Sequence, residues 1–488
     1  MEPRKKVGFL LGPLLFIGAY LCPILKENPS AHTLLAIFLL VVTWWVTECI
    51  PIPVTALLIP IFLTIFQITS AKDAFSPFAN PIIMLFLGSF VLARAMSVHG
   101  LDQKLARSIL SIKSIAGKRS RILLAFGLTT AALSLWISNT ATTAMMYPIA
   151  LGILSSLNSG KREHSASSFG YILLITIAYS SSIGGIGTPV GSPPNLIAIG
   201  MLEKLAHIRI SFFQWMVIGF LILIPMFLFL FFYMKFKLRR YKGAPELEGS
   251  LISDLKKESP GLSRQQKNVL AAFCITVLLW IIPGFVSLFW GNEAPLYLWF
   301  NDHLPEPVAA IIGASLLFFI PVNLKRGQFT LSLNQALEID WGTLLLFGGG
   351  LSLGFQMFDT GLADIIGKTF ISPGASVSLS LITFLCVALS VFFTEVTSNT
   401  AAANMLIPII IAISNAASVN PLPPVLGSAI GCSFAFMLPV ATPPNAIIYG
   451  SRIVPLTKMI TFGFWMNIAG IIIIWLSVQL IAPFLGLI

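Results

Sequence analysis

The chain has 488 residues, of which 56% are hydrophobic and only 10% charged, against about 25% charged in soluble domains. Its apolar runs repeatedly reach the roughly 20 residues that cross a bilayer, which excludes a set of soluble domains and, because barrel strands are short and alternating, a β-barrel. The net charge of +11 does not point to nucleic acid, since the basic residues sit between apolar spans, where they orient a membrane protein.

In chain order, hydropathy predicts spans near 7–25, 31–50, 54–70 and 80–98. The first resembles a signal-peptide core, but it is long and lacks a small-residue cleavage site, so it is read as a span. An amphipathic piece follows at 101–112, then a long apolar stretch at 121–158. Further spans fall near 168–205, 211–236, 268–289, 307–321 and 341–360. A second long apolar stretch covers 375–418, and the last spans lie near 425–450 and 460–486. The one long polar segment, about 235–267, is too short for a soluble domain. Cys22, Cys49, Cys274, Cys386 and Cys432 have no ligand-like spacing and are read as small core residues. The five histidines fall at span ends or in loops, which disfavours a metal site built on imidazole.

Charge then orients the spans. If 121–158 and 375–418 each enter and leave on one side, eleven spans and two re-entrant hairpins result. With the N-terminus inside, most of the 30 lysines and arginines fall on inner segments. Lys104, Arg107, Lys113, Lys118, Arg119 and Arg121 lie there, as do Lys161 and Arg162, the 235–267 loop, Lys325, Arg326, Arg452 and Lys458. Outer segments carry only Lys26, Lys72, Lys204, Arg209 and Lys368. This asymmetry predicts a cytoplasmic N-terminus and an external C-terminus. The first hairpin is basic at both ends and should open inward; the second has no Lys or Arg from 369 to 451 and should open outward. Two full spans in either stretch preserve the same sidedness, so charge alone leaves re-entrance open.

A repeat supports the arrangement. SNTATTAMMYPI (138–149) recurs as SNTAAANMLIPI (398–409), with seven of twelve positions identical, and GSPPNLIAIG (191–200) recurs as ATPPNAIIYG (441–450). LFLGS (85–89) is echoed weakly by LLFGG (345–349). Two oppositely oriented halves with corresponding polar breaks are the mark of an inverted-repeat secondary transporter.

The breaks carry the chemistry. Taken singly, Ser-Asn-Thr in a helix means hydroxyls bonded back to carbonyls, and a Pro pair means a kink. Paired at equivalent positions, they mean more. Asn is costly in hydrocarbon without partners, and broken backbone at membrane depth must be buried in protein or line a polar cavity. Ser192-Pro193-Pro194 and Thr442-Pro443-Pro444 remove donors and push the preceding residue out of helical geometry. Free carbonyls at such breaks are hard oxygen ligands suited to Na⁺, and helix N-termini suit a carboxylate. No Lys or Arg lies within either motif, so bound Na⁺ would supply the counter-charge. The membrane potential adds roughly 2.3 kcal/mol per net charge per 100 mV, which draws a dianion inward when it moves with more than two Na⁺. Glu395 is the acid of the second hairpin; its first-half counterpart is Leu135, and both a cation or proton role and a structural, helix-capping role stand open for it. Glu48 is expected to be a helix-end or packing partner. No His–zinc set, paired aspartates or GxSxG motif marks an enzyme.

With paired SNT and PPN motifs over nearly the whole chain, the sequence resembles the divalent anion/sodium symporter (DASS) family, which includes INDY-type dicarboxylate transporters. The resemblance implies substrate contacts from Ser138, Asn139, Thr140, Ser192 and Pro193 in one half and Ser398, Asn399, Thr400, Thr442 and Pro443 in the other. It implies one sodium site at Ser134, Ser138, Asn139 and Gly191, and another at Thr394, Thr397, Asn399 and Ala441. For the first, Gly187-Thr188-Pro189 offers a competing register, and the repeat favours Gly191. It implies a homodimer in which a scaffold (1–120 and 268–374) carries a moving transport part (121–236 and 375–488), with 237–267 a cytoplasmic loop. Arms at 101–112 and 361–369 would join the two. The function implied is sodium-coupled import of C4-dicarboxylates such as succinate, malate or fumarate by an elevator mechanism, with Na⁺ as coupling ion and no other cofactor. A sodium-independent exchanger, a tricarboxylate or sulfate variant, and an anion channel are the rivals.

Overall fold

A computed structural model describes residues 2–110, 118–158, 163–239, 261–371 and 377–484. Each of the eleven expected spans has its helix or helix pair. Seven described helices are long and apolar enough to cross a membrane, and the chain is an all-α, multi-pass membrane protein. Local sequence sets the helix starts. Asn28 and Asn80 each precede a proline and cap the following helix, Asn28 Oδ1 accepting from Ala31 N at 3.0 Å and Asn80 Oδ1 from Ile82 N at 2.9 Å. Proline in a first helical turn lacks only a donor that has no intrahelical partner there.

The two long apolar stretches are helical hairpins. Arg119–Ser134 turns into Asn139–Asn158, and Leu379–Phe393 turns into Asn399–Ala416. The two proline-rich spans are broken as expected, into Glu163–Gly185 and Pro193–Leu205, and into Leu422–Gly431 and Pro443–Gly450. Both helices of each hairpin pack on the first helix of their own half's broken span. The second helix of each broken span instead packs on the other half's hairpin, Pro193–Leu205 on Asn399–Ala416 and Pro443–Gly450 on Asn139–Asn158. This exchange brings the two hairpin tips and the two breaks together. Ser168–Gly185 is wholly buried at the centre.

The largest apolar cluster joins the hairpins, the broken spans, Phe212–Arg239 and Leu456–Phe484. A second joins Pro29–Thr47 and Ile52–Ile65 to Trp341–Asp359, and a third joins Pro81–Val98 to Arg264–Trp290 and Glu306–Phe319. The amphipathic arms appear as Leu101–Leu110 and Leu362–Phe370. Gly367 lets the second arm lie against the hairpin, since a Cβ there would stand 2.6 Å from Ala412 O.

Several expectations need correction. A two-stranded antiparallel ribbon, Pro321–Asn323 with Gln328–Phe329, interrupts the otherwise helical chain, because a turn that short carries no periodic signal. An unforeseen helix, Pro295–His303, precedes Glu306–Phe319. Only Cys386 and Cys432 are buried; Cys22 and Cys274 are exposed and Cys49 is intermediate, so three of the five are not core residues. Glu48, by contrast, stands at its helix end as expected, in the left-handed region at φ 51°. Most of the 237–267 loop, the end of the first arm, Lys113, Lys161, Arg162 and the chain end past 484 lie outside the described residues.

Candidate functional site

The two motifs of each half do structural work first. Ser138 Oγ accepts from Ala141 N at 3.3 Å and Ser398 Oγ from Ala401 N at 3.2 Å, so each Ser caps the second helix of its hairpin. Asn139 Oδ1 accepts from Ser134 Oγ at 2.7 Å, and Asn399 Oδ1 accepts from Thr394 Oγ1 at 2.8 Å. Each Asn thereby closes its hairpin turn and leaves its Nδ2 donors free for other partners. The breaks are stapled equally symmetrically. Asn195 Nδ2 donates to Gly185 O at 2.9 Å and Thr188 O at 2.8 Å; Asn445 Nδ2 donates to Ala435 O and Leu438 O, both at 3.0 Å. The PPN asparagine, read from sequence only as part of a break, is what holds the unwound backbone in shape.

All ten residues expected to touch substrate line one cavity of about 520 Å³, together with Gly191 and Ala441. Ser134, Thr394 and Thr397 do not line it. They sit behind it, 0%, 0% and 3% exposed; Ser134 and Thr394 are joined to its wall through Asn139 and Asn399. The helices Asn139–Asn158, Pro193–Leu205, Asn399–Ala416 and Pro443–Gly450 all begin at the cavity. The starts of Asn139–Asn158 and Asn399–Ala416 offer N–H groups without helical partners, while the two proline-headed helices lack those donors and contribute only their positive dipole ends; together they make a setting for anionic oxygen.

Behind the first tip, backbone oxygen converges on Gly191. A Cβ there would stand 2.6 Å from Gly185 O and 3.0 Å from Ser134 O and Leu135 O. This is a cradle of hard donors that a side chain would fill, and it fits a cation that prefers oxygen. Gly187 instead faces the side chains of Leu135 and Leu223 and does not line the cavity. Thr188 accepts from Gly191 N at 3.1 Å and donates to Leu135 O. In the second half Thr397 Oγ1 is buried without a partner among the described residues, an oxygen left over for a ligand. Thr143 bonds to Ser181 at 2.9 Å and stays out of the cavity.

Glu395 is anchored rather than free. Its carboxylate accepts from Met437 N at 2.8 Å, Leu438 N at 3.0 Å and Asn467 Nδ2 at 2.7 Å. It ties the second hairpin to the second break and to the last helix, which is the structural role open to it from sequence. Arg94 is the one Lys or Arg among the cavity's lining residues. It pairs with Glu338, their side chains 31% and 65% exposed, so the pair marks the cavity's open end. Asp340 stands nearby and caps Trp341–Asp359, accepting from Thr343 N at 3.1 Å. Arg94 and Glu338 escaped the sequence reading because neither belongs to a repeat.

Paired hairpins, paired broken helices and a polar, cation-poor cavity between them define the class: an inverted-repeat membrane transporter fold. Residues 9–488 match the family described as sodium:sulfate symporter transmembrane region, and the chain belongs to that family. Among curated relatives, the sodium-dependent dicarboxylate transporter SdcS of Staphylococcus saprophyticus is 35% identical over 99% of this chain and 92% of its own length. Its Staphylococcus aureus namesake is 35% identical over 98% and 91%. Among solved structures, the Alcanivorax borkumensis YdaH transporter is similar in fold at TM-score 0.56 and 13% identity, covering 87% of this chain and 88% of that one. Neisseria gonorrhoeae MtrF gives TM-score 0.55 at 13% identity over 85% and 83%.

Proposed function

We propose that this protein is a sodium-coupled symporter that imports C4-dicarboxylates such as succinate, malate or fumarate. The observation that carries this reading is the convergence of Ser138-Asn139-Thr140, Ser192-Pro193, Ser398-Asn399-Thr400 and Thr442-Pro443 on one cavity with no cationic side chain among them. Two opposed sets of hydroxyl, carboxamide and helix-start N–H donors suit a molecule with two carboxylates. The cavity's size lies within the range of small-molecule sites, about 300–1,000 Å³. Relatives named as sodium-dependent dicarboxylate transporters support the choice of ion and substrate.

Na⁺ binds at Ser134, Ser138, Asn139 and Gly191 in one half, and at Thr394, Thr397, Asn399 and Ala441 in the other. Both sites share an Asn with the anion's cavity, so each ion lowers the cost of holding a dianion without fixed positive charge. The N-terminus lies in the cytoplasm and the C-terminus outside. Arg94 and Glu338 then lie on the inner side, and the structure is the inward-open state. The transport part (121–236 and 375–488) moves as an elevator against the scaffold (1–120 and 268–374), and two copies form a homodimer. Purified protein in proteoliposomes tests this: Na⁺-driven accumulation of succinate is expected, and uptake that ignores Na⁺ but requires internal dicarboxylate identifies an exchanger instead.

A further inference from the structure

The two halves treat the residue before their proline pair differently. Thr442 Oγ1 accepts from Asn445 N at 3.4 Å and so caps its own helix. Its counterpart Ser192 makes no cap bond. Ser192 Oγ lies instead 2.9 Å from Ser433 Oγ, which belongs to the break of the other half. Ser192 is 1% exposed and Ser433 fully buried; Ser192 lines the cavity and Ser433 does not. The residue next to Ser433 reaches the second sodium set. Cys432 O accepts from Thr394 Oγ1 at 2.8 Å, the same hydroxyl that bonds to Asn399 Oδ1 at 2.8 Å.

We propose that Ser433 is a positioning residue that aims the Ser192 hydroxyl at the bound anion and links that hydroxyl to the sodium site of the opposite half. This rests on the substrate and sodium sites given above. A serine hydroxyl has one proton and two acceptor lone pairs. When Ser433 donates to Ser192 Oγ, Ser192 keeps its own proton for a carboxylate oxygen, and the chain of two hydroxyls is polarised toward the anion. Without Ser433, Ser192 is free to turn toward Asn195 N, the local cap that Thr442 already uses, and its proton is no longer aimed at the anion by a second hydroxyl. The link to sodium runs through Thr394. Its single proton is shared between Asn399 Oδ1 and Cys432 O. A cation that takes the Asn399 carboxamide oxygen leaves that proton to Cys432 O, which fixes the backbone carrying Ser433. The second half's ion site therefore helps to complete the first half's anion contact.

The test uses the full-length protein in proteoliposomes with succinate as the probe. Ser433→Ala removes one hydrogen bond, and its succinate KM should rise about fivefold. Turnover at saturating succinate and Na⁺ should stay unchanged, as should thermal stabilisation by Na⁺ without succinate. The pair Ser192→Ala with Ser433→Ala should be no worse than Ser192→Ala alone, because both delete one chain. A wild-type KM in Ser433→Ala, or additive effects in the double variant, overturns the proposal. If Ser433→Ala does not fold, Ser433→Cys keeps a weak donor and should raise KM in the same direction; a wild-type KM there also overturns it. A normal KM in Ser192→Ala strikes at the substrate site itself, and Ser433 loses its role with it. A raised KM in Ser192→Ala beside a normal one in Ser433→Ala rejects Ser433 alone.

Discussion

Gly191→Ala is the smallest change that tests the cation cradle. The added methyl would stand 2.6 Å from Gly185 O and 3.0 Å from Ser134 O and Leu135 O, where relaxed C···O contacts need about 3.3–3.6 Å. All three oxygens are backbone, so none can swing aside as a side chain would. The hairpin turn and the end of Glu163–Gly185 must move apart by several tenths of an ångström, and those are the oxygens offered to the ion. Overpacking of this kind costs about 1–3 kcal/mol, which converts to about a 5- to 140-fold loss of Na⁺ affinity at the first site. Ala441 already carries a Cβ at the equivalent place, so Ala441→Gly removes only one buried methyl, about 0.8 kcal/mol, and should change Na⁺ affinity by less than about fourfold. The assay is the half-saturating Na⁺ concentration for succinate uptake, paired with the Na⁺-induced rise in melting temperature. A folded Gly191→Ala protein with wild-type Na⁺ half-saturation would refute the cradle.

Other consequences are equally direct. Asn139→Ala or Asn399→Ala removes the free Nδ2 donors and strands the hydroxyl of Ser134, or leaves that of Thr394 with Cys432 O alone, so uptake should fall about 10- to 100-fold while the protein still runs as a folded species on size exclusion; normal Na⁺-dependent uptake would refute the site. Glu395→Gln keeps one acceptor where the carboxylate served three donors. It should cost about 2–3 kcal/mol of stability, seen as a lower melting temperature, with Na⁺ half-saturation unchanged; a stable variant that has lost Na⁺ dependence would assign Glu395 to coupling instead. Changing Ser192 and Thr442 should shift the preference among succinate, citrate and sulfate, and an unchanged succinate-to-citrate ratio in the double variant would show that selectivity is set elsewhere.

Much of the fold was legible because the bilayer imposes long apolar runs, and each run became a helix or a helix pair. The site was legible because it occurs twice. Ser138 and Ser398 share both a neighbourhood in sequence and a capping geometry in space, and so do the two PPN segments. What broke the symmetry was invisible. Ser433 stands in an apolar run where the first half has Ile183, so no repeat drew attention to it. Thr188 bonds Leu135 O in one half, while Glu395 and Leu438 meet in the other: the same contact solved with different residues. The ribbon at 321–329 and the helix Pro295–His303 are too short for periodicity to register. Trp136 at the first tip stacks on Phe212, 6.4 Å between ring centres, and Phe212 on Trp280 at 4.5 Å. Nothing in the sequence singles these three aromatics out from the others.

The most direct measurement is succinate uptake into proteoliposomes under an imposed inward Na⁺ gradient, with current recorded at the same time. Accumulation above the external concentration, abolished when Na⁺ is replaced by choline and accompanied by inward positive current, is the predicted result. Equal uptake with and without Na⁺, requiring dicarboxylate inside the vesicle and carrying no current, would contradict it.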